Sequence, residues 1–413
     1  MKKIVSARRA GKGRLFSLPR NVVLLGWTSF FTDAGSEMIL PILPLFLRGV
    51  LKAPMLVIGI IEGVAEATAN VLRFFSGLHA DRIGKSKPFV IFGYSLSAVV
   101  KPLLALVPSW PFVLGVRFLD RVGKGIRSAP RDALVAASTP KRIFGKAYGF
   151  HRSMDTAGAV VGSGVAAVAL FFIVDVASPG VRWLFAASAV PSLFALVFLG
   201  RVKERPRPEP KDAAPGAKRS LSLREVFTLP KTVWLLLAGI TFWELGNISY
   251  AFVLLRVADL GFSPRVVPAI YFLYNAVYMA VAMPIGMFSD RVGIRTALLL
   301  GPLLGAAAFW SLSLSTAWIA AASGMLVFAL HSAAVNTVPR VAVAHFAPRS
   351  ARGTVFGLVG VCALLGNTLV GWLWQTANSV LALRVAGLLS LLALIPFAFL
   401  SFRPARISTA GRV

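Results

Sequence analysis

The sequence has 413 residues, of which 57% are hydrophobic and 15% are charged, and its formal net charge at pH 7 is +28. Soluble globular domains carry about 25% charged residues, so this composition excludes an ordinary soluble domain. The single cysteine, Cys362, excludes disulfides and cysteine-based metal clusters within the chain.

Apolar runs of about 20 residues recur along most of the chain, and each is long enough to cross a hydrocarbon core of roughly 30 Å. They lack the alternation of a barrel strand, so we expect transmembrane helices. The predicted fold is an all-α integral membrane protein with twelve transmembrane helices in two six-helix repeats. The predicted spans are 21–47, 55–80, 87–107, 110–137, 144–173, 180–201, 229–259, 265–289, 294–313, 316–345, 351–377 and 379–403.

Lysine and arginine are concentrated in the two tails and in every second connection between spans. This distribution follows the positive-inside rule and does not form one exposed basic face for nucleic acid. We therefore expect a multi-pass protein of the cell (inner) membrane with both termini in the cytoplasm. The basic N-tail resembles the start of a signal peptide, but the first span is too long for one, so we expect no cleavage.

Residues 202–228 are rich in proline, alanine, lysine and arginine and have the composition of a cytoplasmic linker. The linker separates an N-terminal six-helix bundle (21–201), preceded by a tail (1–20), from a C-terminal bundle (229–403), followed by a tail (404–413).

Three groups of residues recur at nearly one offset in the two halves. Gly77, Asp81, Arg82 and Gly84 align with Gly286, Asp290, Arg291 and Gly293; Pro130 and Arg131 align with Pro339 and Arg340; Phe31, Asp33, Gly35 and Ser36 align with Phe242, Glu244, Gly246 and Asn247. Such repeats hold substrate between them near the bilayer midplane.

Residues 77–87, Gly-Leu-His-Ala-Asp-Arg-Ile-Gly-Lys-Ser-Lys, closely resemble the motif that major facilitator superfamily transporters carry between helices 2 and 3. A second copy begins at Gly286. The resemblance covers almost the whole chain and implies that Gly77, Asp81, Arg82, Asp290 and Arg291 form a gate on the cytoplasmic side. Residues 117–125 resemble in part the helix 4 motif of proton-coupled exporters, but Asp120 and Arg121 replace its Gln-Gly, which leaves the direction of transport open.

Many ionisable side chains lie inside the predicted spans, and those of span 4 share about 140° of one helix face. A charge at the bilayer centre must line water or meet a counter-charge, so this face points inward. For proton coupling we predict Asp33, Glu37 and Asp155. For substrate contact we predict Arg117, Arg121, Lys124, Arg127, Glu244, Asn247 and Asn336. Acids and bases nearly match in number, so static ion pairs are the alternative role for about half of them.

These observations predict a secondary transporter that works by alternating access, coupled to protons and exporting an amphipathic or anionic small molecule. Proton-coupled uptake of an anionic metabolite is one alternative, and a non-transporting membrane sensor is another. We find no nucleophile, base and orienting set, and the four histidines are scattered, so we expect neither an enzyme nor a metal site. The expected partners are the lipid bilayer, protons and a small-molecule substrate, with no cofactor and a monomeric state.

Overall fold

The computed structural model describes residues 18–140, 143–173, 175–204, 231–316, 318–346 and 352–400. Inside some helices it describes only the backbone, as at Asp81, Arg82 and Asp290. The described part of the chain contains sixteen α-helices, one 3-10 helix over Lys101–Leu106 and no β-strand. The α-helices are α1 (Arg20–Glu37), α2 (Leu43–Gly49), α3 (Met55–Ile83), α4 (Lys87–Val100), α5 (Trp110–Ala137), α6 (Phe144–Phe172), α7 (Pro179–Ala187), α8 (Ala189–Gly200), α9 (Lys231–Gly246), α10 (Tyr250–Asp259), α11 (Val267–Val292), α12 (Ile294–Leu314), α13 (Trp318–Phe346), α14 (Arg352–Thr376), α15 (Ser379–Leu392) and α16 (Leu394–Ala398).

The predicted spans coincide with these helices, and the expected all-α membrane fold is confirmed. Seven spans are single helices, and five consist of two consecutive helical segments. Within the described residues, eight helices or helix pairs are long and apolar enough to cross a membrane by themselves. The helix α5 is not among the eight, because too many of its residues are charged; Arg117, Asp120, Arg121 and Arg127 among them are buried inside the protein. The predicted tails and linker lie largely outside the described residues.

Two glycines of the repeated motif end helices by adopting positive φ. Gly84, with φ of 73°, follows α3, and Gly293, with φ of 85°, separates α11 from α12. A left-handed conformation costs an L side chain more than it costs glycine, which explains a glycine at both positions. The motif therefore makes a tight helix-ending turn in both halves.

The first span of each half is interrupted at a corresponding place. Helix α1 ends at Glu37, four residues after Asp33, and α9 ends at Gly246, two residues after Glu244. The next helix of the C-terminal half is capped by Ser249, whose hydroxyl accepts from the Ala251 amide at 3.2 Å. Interrupted transmembrane helices expose backbone and polar groups near the midplane, where transporters bind their ligands.

The two sides of the bundle are distinguished by their contacts. We call the side that holds residues 50–54 and 260–266 the far side. The opposite side is called the terminal side; there Asn21 donates to the Lys203 carbonyl at 2.7 Å. On the far side, Arg48 lies 2.5 Å from Asp259 of the other half.

Among the described residues, a buried apolar cluster joins the two halves on the far side. This cluster combines residues of both halves, from Phe46 and Ile42 to Leu254 and Trp374. On the terminal side each half has its own cluster, and neither contains a residue of the other half. The space between the halves is therefore sealed toward the far side.

Each half holds the far-side end of its third span with a guanidinium group. Arg182 of α7 donates to the carbonyls of Ala105 and Val107, at 2.8 and 3.0 Å. Arg256 of α10 donates to the carbonyls of Leu312, Ser313 and Ser315, at 3.1 to 3.3 Å. These bonds satisfy carbonyls that a helix end leaves without intrahelical partners.

Candidate functional site

A buried ion pair joins α5 to α3 and extends to the other half. The Arg117 guanidinium lies 2.7 Å from Glu62 Oε1, and Glu62 Oε2 accepts from the Ser249 hydroxyl at 2.8 Å. The Ser249 amide donates to Asn367 Oδ1 at 2.7 Å. Arg117, predicted as a substrate contact, is thus occupied by a carboxylate in this conformation.

Two other predicted substrate contacts are packed inside the N-terminal half. Arg127 donates to the Ser97 hydroxyl at 2.6 Å, and its guanidinium carbon lies 4.4 Å from the centre of the Tyr94 ring. Arg121 is buried with its Nε 3.5 Å from Asp120. Arg127 thus holds α5 against α4 of its own bundle, and Arg121 pairs with a carboxylate of its own helix.

Lys124 has a different environment, because its side chain is exposed although it lies at mid-length in α5. No carboxylate oxygen of the described residues lies within 4 Å of its amine. Its charged neighbours are Asp33, Glu66, Arg121 and Arg127. Lys124 therefore presents an exposed cation to the chamber between the halves.

Asp155 of α6 is the centre of a charged network. It accepts a short hydrogen bond from Ser29, and its carboxylate lies 3.7 Å from Arg131 and 3.4 Å from Arg152. Asp33, the second predicted coupling residue, lies next to Asp155. Two neighbouring carboxyl groups favour a proton on one of them, because like charges repel.

Glu37, the third predicted coupling residue, lies one turn from Asp33 and faces the other half. Its carboxylate lies beside Tyr271, and its Oε2 lies 3.5 Å from the Asn275 amide. Both partners belong to α11. The structure therefore brings Asp33 and Asp155 together, while Glu37 bonds across the interface.

The predicted polar residues of the C-terminal half form a smaller group. Asn247 donates to Glu244 at 3.1 Å, and its oxygen lies 3.3 Å from Nε2 of the buried His331. Asn336 is exposed and stands apart, with its amide donating to the Ser332 carbonyl at 2.8 Å. Glu244 and Asn247 sit at the interruption between α9 and α10.

Aromatic side chains of the C-terminal half, which we call the aromatic wall, lie across the interface from the charged side chains of α5 and α6, and the sequence-based list did not contain them. Tyr271, Tyr274 and Tyr278 follow one face of α11 at intervals of three and four residues, and the first two rings stack at 5.4 Å between centroids. Phe328 of α13 stacks on Tyr274, also at 5.4 Å. The Tyr278 hydroxyl bonds to Arg152 of the N-terminal half. The i, i+3, i+7 spacing of the tyrosines was the signal that could have identified this face.

The predicted gate is only partly within the described structure. Gly77 faces α5 so closely that an added Cβ would lie 3.0 Å from the Ala129 Cβ. Arg291 is exposed on the terminal side, one residue from the end of α11. The side chains of Asp81, Arg82 and Asp290 lie outside the described residues, so their gating role stays a prediction.

Two bundles of long apolar helices, facing each other across a polar interface, define an integral membrane transporter. The chain matches the Major Facilitator Superfamily family over residues 25–255 and the family described as sugar (and other) transporter over residues 210–403. The chain belongs to the major facilitator superfamily, and that predicted assignment is confirmed.

Among curated relatives, an uncharacterized MFS-type transporter of Methanocaldococcus jannaschii is 34% identical over 91% of this chain and 95% of its own length. A multidrug resistance protein MdtH of Edwardsiella ictaluri is 26% identical over 92% of this chain and 90% of that protein. Among solved structures, a variant of the nucleoside transporter NupG superposes with a TM-score of 0.77 at 13% identity, covering 92% of this chain and 99% of that one. This last likeness is one of fold.

Proposed function

We propose that this transporter exports an amphipathic small molecule with an anionic group, in exchange for protons. The observation that carries the proposal is the contrast between the two walls of the chamber. Lys124 offers an exposed cation on the N-terminal side, and the half-buried Tyr274 ring, which stacks on the buried Phe328, offers an aromatic surface on the C-terminal side. An amphipathic anion matches both walls at once, because one end needs a counter-charge and the other needs apolar contact.

Proton coupling rests on the pair Asp33 and Asp155. Two arginines flank Asp155, which favours its ionised form and leaves Asp33 to carry the shared proton. Lys124 lies near Asp33. The net charge around Lys124 therefore changes both when an anionic substrate binds and when Asp33 gains or loses its proton. Because the proton and the substrate both act on the charge around Lys124, binding of one is thermodynamically linked to binding of the other.

Export is supported by the relatives named for multidrug resistance and by the closed far side. We place the chain in the cell membrane as a monomer with both ends in the cytoplasm, so the conformation described here would receive substrate from the cytoplasm. Rocking of the two halves would then open the far side and close the terminal side.

The test uses purified protein in proteoliposomes with an imposed pH gradient and a panel of fluorescent amphipathic anions and cations. We expect anions to move against the proton gradient in the wild type. Asp33→Asn should abolish gradient-driven movement but retain exchange of labelled for unlabelled substrate. Movement along the proton gradient would show uptake by symport, and binding without movement would show a sensor; either result would contradict the proposal.

A further inference from the structure

A groove on the outer surface of the N-terminal half has no role in the chamber. Its volume is about 440 Å³, within the range of pockets that bind small molecules. It lies between α3, α4 and α5 and is lined by Leu72, Phe75, Ser76, His79, Pro88, Phe89, Phe92 and Ile126. Phe75 and Phe92 are 57% and 55% exposed, so the groove opens toward the lipid.

The groove changes from apolar to polar along the membrane normal. Leu72, Phe92 and Ile126 form its deep end, about 10 Å from the mouth, since seven residues of helix α3 separate Leu72 from His79. His79 is exposed at the mouth, four residues before the end of α3, with its ring edge-on to Phe89 at 5.7 Å. Ser76, between the two ends, already donates to the Arg73 and Gly125 carbonyls.

Cationic side chains lie just beyond the mouth. Lys85 is exposed in the turn that joins α3 to α4, and Lys87, the first residue of α4, is half-exposed. Glu204 accepts hydrogen bonds from the amides of Ser86 and Lys87, at 2.5 and 3.2 Å. Because Glu204 occupies the amides at the start of α4, an anion here would be bound by the lysine side chains.

We propose that this groove is a binding site for one acyl chain of an anionic phospholipid of the terminal-side leaflet, with the phosphate between Lys85 and Lys87. The groove matches the order of parts in such a lipid. Its apolar deep end corresponds to the acyl chain, the imidazole at its mouth to the ester region, and the two ammonium groups beyond the mouth to the headgroup. A lysine near a membrane surface strengthens the attraction of an anionic lipid about fivefold. The site is independent of the transport proposal, because none of its lining residues borders the chamber.

The test is native mass spectrometry of the purified full-length protein, titrated with phosphatidylglycerol or phosphatidylcholine of identical acyl chains. We expect phosphatidylglycerol to be retained at least fivefold better. Lys85→Gln and Lys87→Gln should each weaken that preference about fivefold. Lys231→Gln, which removes a lysine from the start of α9 on the same side, is the matched control and should not alter it.

Ile126→Trp tests the acyl-chain part, because the larger ring fills the deep end of the groove. We expect it to lower retention of both lipids, whereas Val99→Trp, which adds the same ring at a lipid-exposed position of α4, should not. Thermal melting of each variant checks folding. Equal retention of the two lipids by the wild type would overturn the proposal, as would unchanged retention by a folded Ile126→Trp protein.

Discussion

The Nη2 atom of Arg117 lies 2.7 Å from Oε1 of Glu62, and both side chains are more than nine-tenths buried. The pair connects α5 to α3, and through the Ser249 hydroxyl it also reaches the C-terminal half. It therefore stabilises both the N-terminal bundle and the far-side closure.

Removal of one member of this pair should destabilise the protein strongly. Glu62→Ala leaves the Arg117 charge buried without its partner, which costs about 3–5 kcal/mol. The melting temperature in detergent should fall clearly, whereas Glu66→Ala, one turn away and exposed, should change it little. Double replacement by Glu62→Leu and Arg117→Met should recover most of the loss. If it does not, the pair contributes more than the neutralisation of a buried charge.

Close approach of α3 and α14 on the far side depends on glycine. A Cβ at Gly63 would lie 2.9 Å from the Leu364 Cα, so Gly63→Ala should oppose closure by about 1–3 kcal/mol. The population with an open far side should rise by about fivefold or more. Gly115→Ala is the control, because a Cβ there meets nothing within 4 Å.

The measurement is a distance distribution between spin labels on residues 51 and 261, in a Cys362→Ser background. The longer distance should gain weight in Gly63→Ala and not in Gly115→Ala. An unchanged distribution in Gly63→Ala would mean that α14 can retreat without opening the far side.

Lys124 should control the affinity for anionic substrates. Lys124→Gln keeps a polar side chain but removes the charge, so the apparent KM for an anionic substrate should rise about tenfold, as expected for the loss of a charge-assisted hydrogen bond. The apparent KM for a cationic amphiphile should stay constant or fall. Lys52→Gln, in the far-side connection between α2 and α3, provides the charge-matched control. Equal effects on anions and cations would assign Lys124 a structural role.

The aromatic wall should respond to loss of the ring and not to loss of the hydroxyl. Tyr274→Leu removes stacking worth about 0.5–1.5 kcal/mol and should weaken substrate binding roughly two- to twelvefold. Tyr274→Phe keeps the ring and should bind nearly as the wild type does. Phe288→Leu, an exposed aromatic position later on α11, serves as the control for general effects of ring loss. Binding is measured by quenching of substrate fluorescence, and equal loss in the Phe and Leu variants would point to the hydroxyl.

The number and order of the spans could be predicted because hydrophobic length and the positive-inside rule are local properties of the sequence. The interruption of the first span in each half could not be predicted. In the N-terminal half an apolar run continues through Met38 and Ile39 and conceals the end of α1. The alignment of Asp33 with Glu244 marked the positions of these interruptions, but it did not indicate that the helices end there.

The site was predictable as a set of residue types and less so as an arrangement. The helical pattern placed Arg117, Lys124 and Arg127 on one inward-facing sector of α5. One edge of such a sector faces the helix's own bundle, and the other edge faces the chamber. Arg127 turned toward Tyr94 of its own bundle, and Lys124 toward the chamber. That difference depends on how α5 is rotated between α3 and α4, which is set by packing and not by the spacing within one helix.

The guanidinium groups that hold the third span of each half come from non-equivalent helices, with Arg182 on the last span of the first repeat and Arg256 on the first span of the second. The two repeats thus satisfy equivalent helix-end carbonyls with donors from different helices. A third span moved from one half to the other would lose the donor for its far-side end, so the two third spans are not interchangeable.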